Sequence, residues 1–135
     1  MDKTKPLVAI VDDDPSVCRA IKRLVTSLGM NAETFYSGRE FLDFLEAVPS
    51  YQADCIVLDV QMPGVTGLEG QHSLTRSKRA SPVIVITAHE TPETRESALA
   101  AGAVAFLRKP FDDGLFARTL DTALKGNEAS RRGSS

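Results

Sequence analysis

The sequence predicts an α/β domain in which helices cover both faces of a parallel sheet, and three observations lead to it. Residues Leu7–Val11, 55–58 and 83–86 are unbroken apolar runs rich in Val and Ile, the pattern of strands buried on both sides. Between and after these runs the apolar spacing changes to a helical period. Strands alternating with helices in this way need crossovers, which are right-handed and place their helices on the two faces of one sheet.

Taken in order, the first strand is Leu7–Val11. Val17, Ile21, Leu24, Val25 and Leu28 then form a helical stripe, with Gly29 as its stop. A second strand near residues 31–36 is inferred mainly from its place between two helical patterns. Phe41, Phe44, Leu45 and Val48 form the next stripe, which Pro49 ends. After the strand at 55–58, a third helix is expected over about residues 68–79, where the interior Gly70 costs roughly 1 kcal/mol relative to alanine. Beyond the strand at 83–86, Thr91-Pro92 reads as an N-cap followed by proline at the first helical position, and Gly102 closes that fourth helix. A weaker strand at 104–107 precedes a fifth helix carrying Phe116, Leu120, Ala123 and Leu124. From Gly126 onward the residues are polar and small, which divides the chain into a domain over 1–126 and a disordered tail over 127–135. Five such strands predict the flavodoxin-like order 2-1-3-4-5. Its topological switch lies between the first and third strands, and ligands bind beyond their C-terminal ends.

Composition bounds the function. The 135 residues, 42% hydrophobic and 25% charged, suit one core that needs no staples. The formal net charge of −2 gives no broad cationic field for DNA or an anionic membrane. Arg131-Arg132 is a minimal basic patch, and no recognition helix is visible, so direct nucleic-acid binding by this chain is not expected. No apolar run approaches the ~20 residues of a membrane helix. Cys18 and Cys55 lie in apolar segments without CxxC spacing, which reads as core thiols in a cytoplasmic protein.

The chemistry gathers at strand ends. The first strand runs into Asp12-Asp13-Asp14, the third into Asp59 and the fourth into Thr87, while Lys109-Pro110 follows the fifth. Asp14, just before Pro15, suits a helix cap. For the others, two carboxylates ~4 Å apart repel by roughly 4 kcal/mol at an effective dielectric of 20. Asp12, Asp13 and Asp59 balance against one divalent cation plus Lys109. Oxygen ligands without a Cys/His set favour Mg2+, with Mn2+ as an alternative. A carboxylate beside such an ion can act as a nucleophile toward phosphorus, with Thr87 and Lys109 contacting the transferred group.

At these residues the sequence resembles the receiver domain of bacterial two-component response regulators. The matching motifs are Ile10-Val11-Asp12-Asp13-Asp14, Leu58-Asp59-Val60-Gln61-Met62-Pro63-Gly64 with Gly67, Ile86-Thr87-Ala88, and Ala101-Gly102-Ala103 leading to Phe106 and Lys109-Pro110-Phe111. Residues 106–111 look most like the FixJ-type branch, whose members usually carry a C-terminal helix-turn-helix domain. The resemblance implies that Asp59 accepts a phosphoryl group from a sensor histidine kinase or a histidine phosphotransfer protein. It implies that Asp13 and Asp59 ligate Mg2+ with the backbone carbonyl of Gln61, Asp12 acting largely through water. Lys109 would pair with the carboxylate and then the phosphoryl group, Thr87 would hydrogen-bond it, and Phe106 would be the switch aromatic. Lacking a hydroxyl, Phe106 is expected to be positioned by packing alone. The protein is then a signalling module in a phosphorelay, an enzyme only toward its own phosphorylation and dephosphorylation. A homodimer through the face of the fourth helix, fifth strand and fifth helix is the expected phosphorylated state.

Other residues carry less. His72 and His89 lack ligand partners at metal spacing. His89 and the Gln61 side chain lie near the expected acyl phosphate and are read as tuning its lifetime. Two other functions compete. A phosphohydrolase using an aspartyl phosphate would want a second carboxylate at position 61, where Gln stands; a flavin or nucleotide binder would want a Ser/Thr/Gly loop after the first strand, where three aspartates stand. With no output domain visible after Lys125, the chain is expected to be either a stand-alone receiver or a piece of a longer regulator.

Overall fold

The computed structural model describes residues 5–59, 81–89 and 91–133, and side-chain surroundings as far as residue 126. Its elements are β1 (Leu7–Val11), α1 (Pro15–Ser27), β2 (Asn31–Phe35), α2 (Gly38–Ala47), β3 (Cys55–Asp59), β4 (Val83–Thr87), α3 (Pro92–Ala100), β5 (Ala105–Arg108) and α4 (Asp113–Gly133). The helix expected over residues 68–79 lies outside the described residues, so α3 and α4 are the fourth and fifth helices of the sequence reading.

All five strands are parallel and stand in the order β2-β1-β3-β4-β5, the flavodoxin-like arrangement. The pleat sends successive side chains to opposite faces and so divides the interior into two cores. On one face Ala9, Val11, Ile56, Leu58, Val83 and Val85 meet Phe41 and Leu45 of α2 and Ala98 of α3. On the other, Val8, Ile10, Val57, Ile84 and Ile86 meet Ile21 and Val25 of α1 and Phe116 and Leu120 of α4. β1, β3 and β4 bury residues on both faces, which is why they read as continuous apolar runs. β2 and β5 stand at the edges and are only partly covered.

Local signals end the helices where the chain turns. Asp14 is the N-cap of α1, accepting from Ser16 N, and Pro15 occupies the first turn. Gly29 and Gly102 follow α1 and α3 with φ of 85° and 101°, a left-handed backbone that favours glycine. Leu28, the last residue of the first stripe, sits at the C-cap and is 42% exposed.

The end of the chain extends the last helix. Residues 127–133, read as disordered, continue α4 as far as Gly133. Ala129, Arg131 and Arg132 are good helix formers, and together with a well-anchored preceding helix they carry the chain past Gly126, whose interior cost is only about 1 kcal/mol. No helix among the described residues is long and apolar enough to cross a membrane.

Candidate functional site

β3 and β4 each run one residue further than their apolar stretches, so Asp59 and Thr87 are the last residues of strands. Asp59 is paired in register with Ile86, and Thr87 with Arg108. Their side chains are therefore aimed by the ladder rather than by a loop. Asp12 follows β1 directly, where its N–H donates to Phe35 O at 3.0 Å. These positions bracket the switch point between β1 and β3, the edge at which a doubly wound sheet binds ligands.

One carboxylate oxygen from each of Asp12, Asp13 and Asp59 lies within 4.8 Å of the others. Asp12 is fully buried and Asp59 is 4% exposed, while Asp13 is exposed. Lys109 reaches in from the end of β5, its Nζ donating to Asp12 Oδ2 at 2.6 Å and to Asp59 Oδ2 at 3.3 Å. The shorter of these contacts is to Asp12, a preference the sequence did not reveal. The other oxygen of Asp12 accepts from Asp14 N at 2.9 Å, so the buried carboxylate is partnered on both sides. Burial works to lower the Lys109 pKa, but the hydrogen bond to Asp12 and the charges of Asp59 and Asp12 outweigh it and hold the ammonium above the usual lysine value.

Three carboxylates beside one ammonium leave a net negative pocket of oxygen donors open to solvent at Asp13. Such a donor set fits a hard divalent cation and does not fit zinc, which prefers nitrogen and sulfur. Gln61, expected to lend a carbonyl, lies outside the described residues, as does His72. The thiol of Cys18 donates to Asp12 O at 3.2 Å; burial, reinforced by the charge of Asp12, pushes its pKa up to about 11. Cys55 is driven by burial to about 12. Both are neutral buried thiols.

Thr87 is fully buried but faces a different partner. Its Oγ1 accepts from His89 N at 3.1 Å and donates to His89 O at 3.3 Å. His89 thus reaches the site through its backbone, while its side chain is exposed. By the pleat, Thr87 lies on the same face of β4 as Val85, and Val85 is opposite Phe106 on β5. Phe106 is half-buried against this core, with the Arg95 guanidinium of α3 over its ring at 5.9 Å. Neither Arg95 nor the Thr87–His89 link was found from the sequence: one is a helix residue with no motif, the other a backbone contact.

Fold and pocket together define a class, a doubly wound domain that gathers a charge-paired acidic cluster at its switch point. The chain belongs to the response regulator receiver domain family, whose model matches residues 8–121. It is 37% identical over 129 residues to nodulation protein W and 30% identical over 129 residues to the transcriptional regulatory protein FixJ, both of Bradyrhizobium diazoefficiens. These alignments take in 96% of this chain but 54% and 62% of the relatives, so the chain spans little more than half their length. Among solved structures, a response regulator receiver protein from Burkholderia phymatum is 58% identical, with a TM-score of 0.81 over 90% of this chain and 96% of that one. The protein is a receiver domain of the two-component response regulators, a signalling family rather than a classical enzyme.

Proposed function

We propose that Asp59 is the phosphoacceptor of this domain. The observation that carries the reading is a nearly buried carboxylate at a strand end, 3.3 Å from an ammonium and within reach of two further carboxylates. An Asp59 oxygen attacks the phosphorus of a phosphohistidine on a sensor kinase or histidine phosphotransfer protein. The new P–O bond forms as the P–N bond breaks, and the imidazole leaves and takes up a proton from solvent. Asp13 and Asp59, with the Gln61 backbone carbonyl and Asp12 acting through water, would hold Mg2+, or Mn2+ in its place. When bound, the cation neutralises charge on the phosphoryl oxygens.

Lys109 leaves Asp59 for the phosphoryl group while keeping its shorter contact to Asp12, so the ammonium is already placed where charge develops. The Thr87 hydroxyl exchanges its His89 backbone partners for a phosphoryl oxygen. That movement vacates space on the face it shares with Phe106, and the aromatic ring fills it. The altered surface is that of α3, β5 and α4, where Leu99, Val104 and Leu115 are exposed. It is suited to pairing with a second copy in the phosphorylated state. His89 and the Gln61 side chain tune hydrolysis of the acyl phosphate. The chain acts in the cytoplasm, and its effects pass through protein contacts rather than through direct nucleic-acid binding.

The test uses acetyl phosphate, whose P–O bond to acetate breaks as the bond to Asp59 forms. With Mg2+, intact mass is expected to rise by one phosphoryl group, with no gain in Asp59→Asn or in the presence of a chelator. An unmodified parent, or an Asp59→Asn variant modified equally, would remove the proposal. Alanine variants at Gln61 and His89 are expected to lose the group at altered rates; two parental rates would remove their assigned role.

A further inference from the structure

We propose that Arg95 is a positioning residue for the switch: its guanidinium, seated over the Phe106 ring, holds that ring away from the space beside Thr87 until Asp59 is phosphorylated. The proposal rests on the reading of Asp59, Thr87 and Phe106 given above and adds a residue to it. Phe106 carries no hydroxyl, so no hydrogen bond can favour one ring position over another. Packing is not the sole determinant, however, because a cation stands over the ring at 5.9 Å, inside the range of cation–π attraction. Arginine suits this place because its planar, weakly hydrated head stacks on an aromatic face with little desolvation.

The helix that carries Arg95 makes the contact consequential. Ala98 is the one fully buried side chain among the nine residues of α3, so little apolar surface ties this helix to the sheet. A contact between Arg95 and Phe106 therefore links two things at once, the ring position and the seat of α3. Phe106 lies opposite Val85, and Thr87 is two residues further along β4 on the same face. The Thr87 hydroxyl is held by the backbone of His89, the arrangement expected before any phosphoryl group draws it inward. When the hydroxyl leaves, the ring can follow only by giving up the guanidinium. Arg95 thus biases the domain toward its unphosphorylated form, and losing the contact should make the competent form commoner.

Small phosphodonors read that population directly, because they bring no kinase surface to reshape the domain. Phosphorylation rates with acetyl phosphate and Mg2+ are measured for the parent, Arg95→Met, Arg95→Lys, Phe106→Leu and the Arg95→Met/Phe106→Leu double variant. Arg95 is exposed, so its replacements leave the core intact, and a thermal melt of each variant checks the fold. Arg95→Met is expected to react about two- to fivefold faster than the parent, the factor to which ~0.5–1 kcal/mol converts at 1.36 kcal/mol per tenfold. Arg95→Lys, which keeps a cation, should return most of the way to the parental rate. In the Phe106→Leu background, removing Arg95 should have no effect. A parent that takes up no phosphoryl group would overturn the phosphoacceptor reading itself. A reactive parent with an unchanged or slower Arg95→Met, a lysine variant as fast as the methionine one, or an effect that survives Phe106→Leu would overturn the role of Arg95 alone.

Discussion

Two helices of this domain begin alike and are held very differently. α1 and α3 both open with an oxygen-bearing N-cap, Asp14 and Thr91, and both place proline in the first turn. α1 then buries Cys18, Ile21 and Val25 against the sheet, whereas α3 buries Ala98 alone. Capping determines where a helix starts; buried apolar area determines how firmly it stays. The consequence is a division of labour around one pocket. Beside α1, Asp12 is held by Phe35 O, Asp14 N and Lys109, so the capturing side of the site is tied down from three directions. Beside α3, Thr87 holds only a short local turn and Phe106 lies half-buried under Arg95. A surface that must change on a chemical signal is drawn from the weakly held part of a fold.

The largest effects should come from attacking the firmly held layer. Phe116→Ala, at a fully buried site between α4 and the sheet, is expected to cost about 3–5 kcal/mol in urea unfolding. Leu99→Ala on α3, whose side chain is 44% exposed, should stay within about 0.5 kcal/mol. Equal losses at the two sites would abolish the contrast.

Lys109→Met comes next. It removes the cation that serves both Asp12 and Asp59, and stability at neutral pH should fall by about 3 kcal/mol. In the parent, Lys109 is raised from 10.5, Cys18 from 9.0 to about 11 and Cys55 from 9.0 to about 12. A raised group stabilises fully below its unfolded value, and the contribution is lost as pH climbs through the folded one. Urea midpoints should therefore begin to fall above pH 9, and Cys55→Ala should flatten the first part of that fall.

The smallest effects sharpen the comparison most. Asp14→Ala and Thr91→Ala each remove one cap, at a cost of about 1 kcal/mol. The first should appear in global unfolding, because α1 is part of the cooperative core. The second should appear mainly as faster amide exchange within α3, with the global midpoint barely moved.

Much of this was legible in the sequence, for reasons that differ by element. β1, β3 and β4 announced themselves because both their faces are buried, while β2 and β5 gave weak signals because an edge strand needs neither an unbroken apolar run nor strict alternation. At the end of the chain, polarity points to a disordered tail over 127–135, whereas the backbone of α4 is helical as far as Gly133. At the site, the switch-point rule pointed to the strand ends, where Lys109 contacts Asp12 and Asp59, while Thr87, also at a strand end, is paired with the His89 backbone. It could not show that Lys109 lies nearer Asp12 than Asp59, which depends on rotamers. Nor could it show Thr87 held by the His89 backbone, or Arg95 over Phe106. Contacts between an exposed helix and a neighbouring strand leave no periodic trace in a sequence.

Amide hydrogen exchange read by mass spectrometry, with Mg2+ and with or without acetyl phosphate, probes the division between capture and response. Before modification, α3 should exchange far faster than α1. After it, the change in protection should concentrate in α3 and β5 and leave α1 as it was. Equal protection of the two helices at the start, or a response centred on α1, would contradict it.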